Sequence, residues 1–452
     1  MGDATTHLWC EHALLPGGPA ERVAIEVADG RIASVVADTD PVPGATRRAG
    51  VTMAGAANVH SHAFHRALRH RSQTGQGSFW TWREQMYEIA AVLDPESYHR
   101  LARAVFAEMV LSGYTAVGEF NYVHHQPGGA AYADPNAIAE ALTQAAADAG
   151  IRITLLDTVY LHGGLADDGY LALFERQRRF GDASIEAWAE RVAGLSPDPR
   201  RRVGAAIHSV RAVDPAAIAT LAGWTADSGA PLHAHVSEQP AENEQCLAAH
   251  GCTPVELLAR SGALATNFTA VHATHLTESD IALLGNAGAT VCLCPTTERD
   301  LGDGVGPARR LADAGTALSI GSDSHAVIDP FEEARAIELD ERLVGGGRGT
   351  FSAGELAATM TAGHESLGWH DSGSITVDHR ADLVTVALDS PRTAGSLPGA
   401  VTEAVVFAAS AADITHVMID GVTVVEHGRH HTIDVIAELT AALDDVFRRA
   451  ST

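Results

Sequence analysis

The middle of the sequence alternates short apolar runs of β-type composition with longer alanine-rich stretches of helical periodicity. Helical runs at 134–150 and 185–195 each lie between two apolar runs. Strands that alternate with helices are typical of βαβ units and a parallel sheet. There are eight candidate strands, at 56–64, 113–120, 151–160, 203–213, 231–238, 268–276, 290–298 and 317–325. Eight such units predict an α/β fold of the TIM (β/α)8 barrel type, with a doubly wound sheet as the alternative.

The two ends of the sequence have a different texture, with short alternating β runs around Asp-Gly turns. VAIEVADGRIASVVA, near the N-terminus, contains a hairpin signal at Asp29-Gly30. Near the C-terminus, ADLVTVAL, AVVFAA and THVMIDGVTVVEHG are interpreted as further short strands, with a turn at Asp420-Gly421. We therefore expect one small β-domain built from both ends. The predicted divisions are 1–52 and 372–430 for that domain, 53–371 for the barrel and 431–452 for a C-terminal helix.

Composition argues against several classes of protein. The net charge of −26 repels nucleic-acid phosphates and anionic lipid. No apolar run approaches the roughly 20 residues that cross a bilayer, and the N-terminus lacks the basic and apolar regions of a secretory signal. Five scattered cysteines suit reduced thiols better than a disulfide framework. We expect a soluble, cytoplasmic protein with no nucleic-acid or membrane partner.

Metal-binding residue types collect where the candidate strands end. The first strand runs into NVHSHAFHRALRH, although a chain with 24 histidines shows about one His-x-His by chance. The fifth strand ends in the segment His235 to Glu238, the sixth in His272 and the eighth in Asp323. Barrel enzymes build their sites at the C-terminal ends of the strands. Four strand ends that each supply a metal-competent group therefore predict a metal site.

The expected ligands are three imidazoles and one carboxylate. His60 and His62 lie two residues apart, so a strand directs both side chains to one face. His235 and Asp323 complete the set. These ligands suit one Zn²⁺, with iron or manganese as alternatives. His233, also in the fifth strand, is interpreted as a hydrogen-bonded interior residue.

Two arginines are candidate binding residues for carboxylates, because a guanidinium can form two parallel hydrogen bonds to one carboxylate. Arg211 lies near the end of the fourth strand, and Arg83 lies in SFWTWREQMYEIA, which reads as a helix within a loop. Each could instead form an ordinary ion pair with a neighbouring acid. Trp80, Trp82 and Tyr87 are interpreted as the packed face of that helix.

With these residues in place, the sequence resembles the amidohydrolase superfamily over nearly its whole length. The shared pattern is a split β-domain, a barrel, His-x-His on the first strand, histidines on the fifth and sixth, and an aspartate on the eighth. The resemblance implies a barrel of the amidohydrolase type and a metal-dependent hydrolase. Superfamily members with two metals commonly bridge them through a carboxylated lysine, and this sequence contains no lysine. A lysine-bridged binuclear centre is therefore excluded.

The loops resemble those of the formimidoylglutamate deiminase family. The matching segments are NVHSHAFHRA, SFWTWREQMYEIA, EFNYVHH, HSVRAV and CPTTERDLGDG. The resemblance implies hydrolytic deimination of N-formimino-L-glutamate to N-formyl-L-glutamate and ammonia in histidine degradation. It also implies that the substrate contacts Arg83, Tyr122, His208 and Arg211. As partners we expect this small substrate with its carboxylates and a second subunit in a homodimer.

Two departures from the pattern of that family bear on specificity. The family usually has Gln where this sequence has His65, and an Ala-Asn pair where it has Arg299-Asp300. The first position lies close to the substrate in the family. We therefore include His65 among the substrate-binding residues.

Three residues receive catalytic roles in this interpretation. A bound zinc ion lowers the pKa of its water toward about 7. Asp323 is expected to accept the proton of the attacking water, and His272 to orient that water and stabilise the tetrahedral centre. Glu238 is expected to carry a proton to the departing nitrogen.

Two other functions remain open at this point. A related deaminase acting on a purine, a pyrimidine or an S-adenosyl compound would need base-stacking and base-edge contacts rather than two carboxylate clamps. A catalytically inactive relative acting as a binding protein would be expected to have lost metal ligands, whereas every expected ligand position is filled here.

Overall fold

The structure is a computed structural model that describes residues 5–73, 77, 79–397 and 399–451, with only the backbone of Phe79. Residues 1–4 of the expected β-domain, the first residue of SFWTWREQMYEIA and the last residue of the expected C-terminal helix lie outside these ranges. The described strands form two eight-stranded sheets and a small two-stranded one.

The strands are β1 (Thr6–Leu15), β2 (Gly18–Ala28), β3 (Arg31–Val36), β4 (Thr46–Ala54), β5 (Ala56–Ser61), β6 (Tyr114–Asn121), β7 (Arg152–Val159), β8 (Gly164–Ala166), β9 (Gly169–Leu171), β10 (Arg201–Ile207), β11 (Leu232–Val236), β12 (Phe268–His272), β13 (Thr290–Leu293), β14 (Ala317–Ile320), β15 (Leu383–Val386), β16 (Ile414–Ile419), β17 (Val422–Glu426) and β18 (Arg429–His430).

The helices are α1 (Phe79–Val92), α2 (Pro95–Leu111), α3 (Ala137–Ala149), α4 (Ile185–Val192), α5 (Pro215–Ser228), α6 (Pro240–His250), α7 (Pro254–Arg260), α8 (Glu278–Ala287), α9 (Pro295–Leu301), α10 (Ala308–Asp313), α11 (Pro330–Gly345), α12 (Ala353–Ser366), α13 (Val401–Phe407) and α14 (Val435–Ala450). Among the described residues, none of these helices combines the length and apolar composition that a membrane span requires.

The middle of the chain forms a barrel of eight parallel strands in the order β5, β6, β7, β10, β11, β12, β13 and β14. Contacts between the first and last strands bring the two edges of the sheet together. The Asp323 N–H donates to the His60 carbonyl at 2.9 Å, and Ser61 pairs with Asp323 in a parallel bridge. The predicted TIM barrel is therefore confirmed, and the doubly wound alternative is wrong.

The sequence explains where these elements begin and how they pack. Every residue of β6 and of β7 is buried, as expected for strands of a parallel sheet covered by helices. Several helices begin at a residue whose side chain accepts a hydrogen bond from the first turn. Asp94 accepts from the Ser97 N–H before α2, Asp214 from two N–H groups before α5, and Ser352 from the Glu355 N–H before α12.

The second large sheet combines the two chain ends, in the order β18, β17, β16, β15, β4, β1, β2 and β3. The expectation of one small β-domain from both ends is confirmed. Both predicted hairpins are present, and their turn residues have positive φ: 50° and 76° at Asp29 and Gly30, 50° and 74° at Asp420 and Gly421. The two turns contact each other, and a Cβ on Gly30 would lie 2.9 Å from the Asp420 carbonyl oxygen.

One predicted strand of this sheet is wrong. Most of AVVFAA, interpreted as a strand, lies in helix α13. Short apolar runs do not distinguish a buried strand from a buried helix, because both leave no polar positions to set a period. The other two C-terminal segments form β15, β16 and β17 as expected. The domain divisions at residues 52, 372 and 430 stay predictions.

The two sheets are joined through a buried arginine. Arg152, at the start of barrel strand β7, is fully buried and forms an ion pair with Asp382, the residue before β15. Its guanidinium also donates to Ser372 Oγ and to the Asp420 carboxylate, each at 3.1 Å. The C-terminal helix α14 packs against the barrel side, where Asp445 accepts from Arg100 of α2 at 2.6 Å.

Candidate active site

The four expected metal ligands converge at the C-terminal ends of β5, β11 and β14. The Nε2 atoms of His60 and His235 are 3.1 Å apart. The Oδ1 atom of Asp323 lies 3.3 Å from His60 Nε2 and 3.5 Å from His62 Nε2. All four residues are buried. The spacing of residues along the sequence therefore predicted a set of donor atoms that the fold brings together.

These distances and orientations fit a single divalent ion. A tetrahedral zinc ion with bonds of about 2.0–2.1 Å places its ligand atoms roughly 3.3 Å apart. His62 Nδ1 donates to the Phe120 carbonyl at 2.9 Å, and His235 Nδ1 donates to the His208 carbonyl at 2.8 Å. These bonds leave each Nε2 lone pair free to face the centre. Burial lowers the pKa of both imidazoles well below the ordinary value, which favours the neutral, metal-binding form.

The backbone is strained where these strands end. Positive φ angles occur at five non-glycine residues at or just after the ends of β11, β12 and β14. They are Ser237 (51°), His272 (68°), Ala273 (52°), Asp323 (39°) and His325 (58°). This region is costly for residues with a Cβ and is tolerated best by Asn, Asp and His. The left-handed conformation turns the chain sharply at the strand end, where His272 and Asp323 reach the site.

His272 lies among three carboxylates beside the ligand cluster. Its Nε2 atom is 3.9 Å from both Glu238 Oε1 and Asp323 Oδ2, and its Nδ1 atom is 3.5 Å from Glu298 Oε1. Burial opposes the charged imidazolium, but the carboxylates outweigh it, Glu238 most strongly, and hold the pKa of His272 well above the usual value. Burial raises the pKa of the Glu238 carboxyl. The site thus places an imidazole and a carboxyl side by side, each with a pKa above its ordinary value.

A cavity of about 240 Å³ opens above this cluster. Nearly all the residues predicted for the site line it: His62, His65, Arg83, Tyr122, His208, Arg211, His235, Glu238, His272 and Asp323. The remaining one, His60, is fully buried and contacts the lining residues His235 and Asp323. The metal-type cluster and the expected binding residues therefore belong to one site.

Arg83 and Arg211 form no ion pair with an acidic residue in the described ranges of the chain. No carboxylate oxygen there lies within 4.0 Å of either guanidinium group. The Nε–H of Arg83 donates to the Tyr87 hydroxyl at 2.9 Å, and its guanidinium lies over the rings of Trp80 and Tyr87, at 5.7 and 5.4 Å. Arg211 Nε is buried with no hydrogen-bond partner among the described residues. Burial, Arg211 and Arg83 together lower the pKa of His208, which lies near both guanidinium groups.

The expected contact residue His65 shares a hydrogen bond of 2.7 Å between its Nε2 atom and the Tyr122 hydroxyl. The Trp82 ring meets it edge to face, with 4.9 Å between the centroids. Trp80 lines the cavity and is 48% exposed, so its interpretation as part of the packed face of α1 is wrong. Trp82 also lines the cavity, but it is partly buried and packs against the core as expected. Tyr87 does pack, since it is buried and stacked on Phe180 at 6.0 Å.

The Arg299-Asp300 departure lies away from the cavity. Arg299 is held by Glu332 at 3.2 Å and Asp340 at 3.3 Å, and Asp300 accepts from the Gln73 amide at 2.7 Å. The cavity is instead reached by the next residue, Leu301. His65 is therefore the departure that bears on the site.

Sequence reasoning missed several residues of the site. Tyr160 lines the cavity, and its position at the end of the third predicted strand was a usable signal. Glu298, which contacts His272, lies in the short helix α9 after β13. Gln177, which binds Tyr160 from the short 3-10 helix Glu175–Gln177, carried no signal in the sequence.

The fold and the site are those of an amidohydrolase. Residues 51–424 match the amidohydrolase family, and residues 5–49 match the N-terminal domain of formimidoylglutamate deiminase HutF. The solved structure of an amidohydrolase from Brucella melitensis is 32% identical, covers 98% of this chain and 100% of its own, and superposes with a TM-score of 0.87. The chain belongs to the amidohydrolase family.

Within that family, the resemblance to formimidoylglutamate deiminases is confirmed. The formimidoylglutamate deiminase of Pseudomonas aeruginosa is 37% identical over 438 residues, which are 94% of this chain and 95% of that protein. A 5-methylthioadenosine/S-adenosylhomocysteine deaminase from Natronomonas pharaonis is also similar, with 28% identity over 384 residues, or 84% of this chain and 82% of that protein.

Proposed function

We propose that the protein hydrolyses N-formimino-L-glutamate to N-formyl-L-glutamate and ammonia, as a formimidoylglutamate deiminase of histidine degradation. The observation that carries this proposal is the pair of cavity arginines, Arg83 and Arg211, which have no acidic partner among the described residues although the net charge is −26. Guanidinium groups in such a position favour a ligand that brings its own carboxylates. The substrate has two.

We assign the metal to His60, His62, His235 and Asp323, as one Zn²⁺ with iron or manganese as the alternatives. Three imidazoles and a carboxylate form a borderline ligand set that suits these ions. When bound, the ion supplies Lewis-acid activation of water at neutral pH. The distances of 3.1 to 3.5 Å between the donor atoms support this assignment.

The protein's own residues then move the protons. Asp323 Oδ2 faces His272 rather than the ligand imidazoles, and in this position it can accept a proton from the attacking water. His272 orients that water toward the formimino carbon and donates to the tetrahedral centre. Glu238 lines the cavity and delivers a proton to the departing nitrogen. The carbon–nitrogen bond breaks, ammonia leaves, and the formyl group remains on the glutamate nitrogen.

Binding of the substrate is assigned to Arg83, Tyr122, His208, Arg211 and His65. All five line the cavity. The two arginines bind the carboxylates, whereas Tyr122, His65 and His208 surround the path from the arginines to the ligand cluster, with ring centroids of Tyr122 and His208 5.7 Å apart.

The test is ammonia release by the purified, zinc-loaded protein from a panel of substrates. We expect turnover of N-formimino-L-glutamate and little of guanine, cytosine, adenosine or S-adenosylhomocysteine. Turnover of a nucleoside or base without turnover of N-formimino-L-glutamate would make this a related deaminase instead. Absence of any turnover with full metal occupancy would favour the inactive binding protein.

We further propose that the protein is a cytoplasmic homodimer. Its five cysteines are buried free thiols, which suit a reducing compartment. A dimer with two-fold symmetry is the commonest closed oligomer of soluble enzymes. Sedimentation equilibrium of the metal-loaded protein tests the assembly, and the mass of a single chain would contradict it.

A further inference from the structure

We propose that Tyr160 is a substrate-binding residue, whose hydroxyl donates a hydrogen bond to a carboxylate of the substrate, and that Gln177 positions this hydroxyl. The inference rests on the proposed function, because it names a third contact for the carboxylates beside Arg83 and Arg211. It follows from the directions of the hydrogen bonds in one buried network behind the cavity wall.

The orientation of the Gln177 amide is fixed by the backbone. The side chain is fully buried. Its Oε1 atom accepts from the Phe174 N–H at 3.2 Å, and its Nε2 atom donates to the Gly163 carbonyl at 3.1 Å. The same Nε2 atom lies 2.9 Å from the Tyr160 hydroxyl and 3.3 Å from the Tyr87 hydroxyl. An amide nitrogen only donates, and it carries two hydrogens. One is directed to the Gly163 carbonyl, so the other goes to the nearer phenol oxygen, that of Tyr160, which is an acceptor here.

Arg83 is a second hydrogen-bond donor to these phenol oxygens. Its guanidinium donates to the Tyr87 hydroxyl at 2.9 Å and also interacts with the Tyr160 hydroxyl. Each phenol carries one hydrogen of its own to donate. In the parts of the chain that the structure describes, the Tyr160 hydroxyl meets donors and no acceptor. Its hydrogen is therefore available to a ligand in the cavity.

The two phenols differ in their access to the cavity. Tyr160 lines it, whereas Tyr87 does not. The Tyr160 ring is held by an edge contact with His208, at 4.4 Å between centroids, and by a tilted contact with Phe180 at 5.8 Å. Tyr87 thus serves to hold Arg83, and Tyr160 presents a neutral donor next to that cation. A carboxylate bound by Arg83 would supply the missing acceptor.

Tyr160→Phe tests the inference, because it removes only the hydroxyl. We expect the KM for N-formimino-L-glutamate to rise roughly tenfold or more, as a lost hydrogen bond to a charged group does, with kcat within about twofold. The Kd of N-formyl-L-glutamate, measured by calorimetry, should rise by a similar factor. Tyr114→Phe is the matched control, since the Tyr114 hydroxyl is buried without a partner among the described residues; its KM should not change.

Substrates in which one carboxylate is an amide separate a direct contact from a general disturbance. The Tyr160→Phe effect should shrink for one monoamide of N-formimino-L-glutamate and persist for the other. Gln177→Met should raise KM as well, and its effect should be smaller in the Tyr160→Phe background, since both changes disable one hydroxyl. An equal effect of Tyr160→Phe on both monoamides would overturn the direct contact.

The outcomes also distinguish this inference from the proposed function. An unchanged KM and Kd in Tyr160→Phe, with normal turnover by the unaltered protein, would overturn the inference and leave the function standing. If the unaltered protein does not turn over N-formimino-L-glutamate, the proposed function is wrong. The inference is then tested only by the Kd of N-formyl-L-glutamate, compared between the unaltered protein and Tyr160→Phe. Unaltered protein that does not bind N-formyl-L-glutamate overturns the inference as well.

Discussion

The carboxyl groups at the site differ in their capacity to carry a proton, because they have different hydrogen-bond and ion-pair partners. Asp323 approaches the ligand imidazoles, and Glu298 accepts from the Cys294 N–H at 2.9 Å. Glu238 lines the cavity beside His272. Glu238→Gln removes the proton carrier but keeps the shape, so we expect kcat to fall by about 100-fold or more. Ammonia release gives the rate, and elemental analysis should show unchanged metal; normal turnover would remove Glu238 from the mechanism.

The two arginine environments allow a matched pair of variants. Arg211 reaches the cavity without an acidic partner among the described residues, whereas Arg299 is exposed and bound by Glu332 and Asp340. Arg211→Ala should raise KM roughly 10- to 100-fold, because a charge-assisted contact is lost, and should change kcat less. Arg299→Ala should leave both constants unchanged. Steady-state kinetics on the two variants would contradict this assignment if they behaved alike.

The residues that sequence reasoning found and missed differ in a physical way. His60, His62, His235 and Asp323 could be predicted because each stands at or just after the end of a short apolar run. The end of a barrel strand fixes where a side chain points. Gln177 reaches Tyr160 from a single 3-10 turn in the connection between β9 and α4, and the position of such a connection depends on contacts between distant parts of the chain. No local pattern records such contacts.

At the scale of elements, the same limit explains the segments that were wrong. The barrel strands were found because parallel strands are buried on both faces and read as apolar runs between helices. AVVFAA has the same apolar character, but it lies in α13, where tertiary packing decides its conformation. The left-handed residues after β11, β12 and β14 were not predictable either, because their strain is held by the assembled site.

The junction between the two sheets contains one fully buried ion pair, between Arg152 and Asp382. Arg152 of β7 donates to Asp382 Oδ1 at 2.9 Å, and Asp382 also accepts from the Asp420 N–H at 2.9 Å. Asp382→Asn removes the buried charge partner of Arg152 and leaves only the less buried Asp420 carboxylate, 3.1 Å away. Breaking a buried pair costs about 3–5 kcal/mol, which is the upper bound here. We expect the free energy of unfolding in urea to fall by that order at neutral pH. A loss below about 1 kcal/mol would show that the junction does not depend on this charge pair.

The pH dependence of that loss has a definite sign. Burial opposes the charged carboxylate, but Arg152 outweighs it and holds the pKa of Asp382 below its usual value. A group with a lowered folded-state pKa contributes stability above its unfolded pKa, about 3.9 for Asp, and loses it as pH falls through the folded pKa. The difference between Asp382→Asn and the unaltered protein should therefore shrink below about pH 4. Urea melts from pH 3 to 7 measure it, and a constant difference would contradict the pairing.

At the scale of the whole molecule, the site lies where the barrel closes. His60 lies in the first barrel strand, β5, and His62 directly follows it. His235 lies in the fifth barrel strand, β11, and Asp323 in the turn after the last one, β14. The backbone hydrogen bonds that join the sheet edges are also made by these residues, from the Asp323 N–H to the His60 carbonyl and from the His62 N–H to the Asp323 carbonyl. An ion bound by these residues would link both ends of the barrel sheet to its middle. Metal content and barrel stability should therefore be coupled.

Removal of the metal tests this coupling directly. A ligand that binds only the folded state adds about 2.7 kcal/mol of stability at a free concentration 100 times its Kd. We expect chelator-treated protein to unfold at a lower Tm, and added Zn²⁺ to restore it. His62→Ala should retain no metal, and added Zn²⁺ should not restore its Tm.

A control is needed because a second group of donor atoms, His416, Glu426 and His427, lies on the other sheet. His427→Ala must keep the full response to chelator and zinc if the ion at the barrel end is responsible. The reverse pattern, with the response lost in His427→Ala and kept in His62→Ala, would place the stabilising ion on the small β-domain. That outcome would also show that the stability of the barrel does not depend on the cluster of His60, His62, His235 and Asp323. An ion that serves both catalysis and stability must lower both when it is removed.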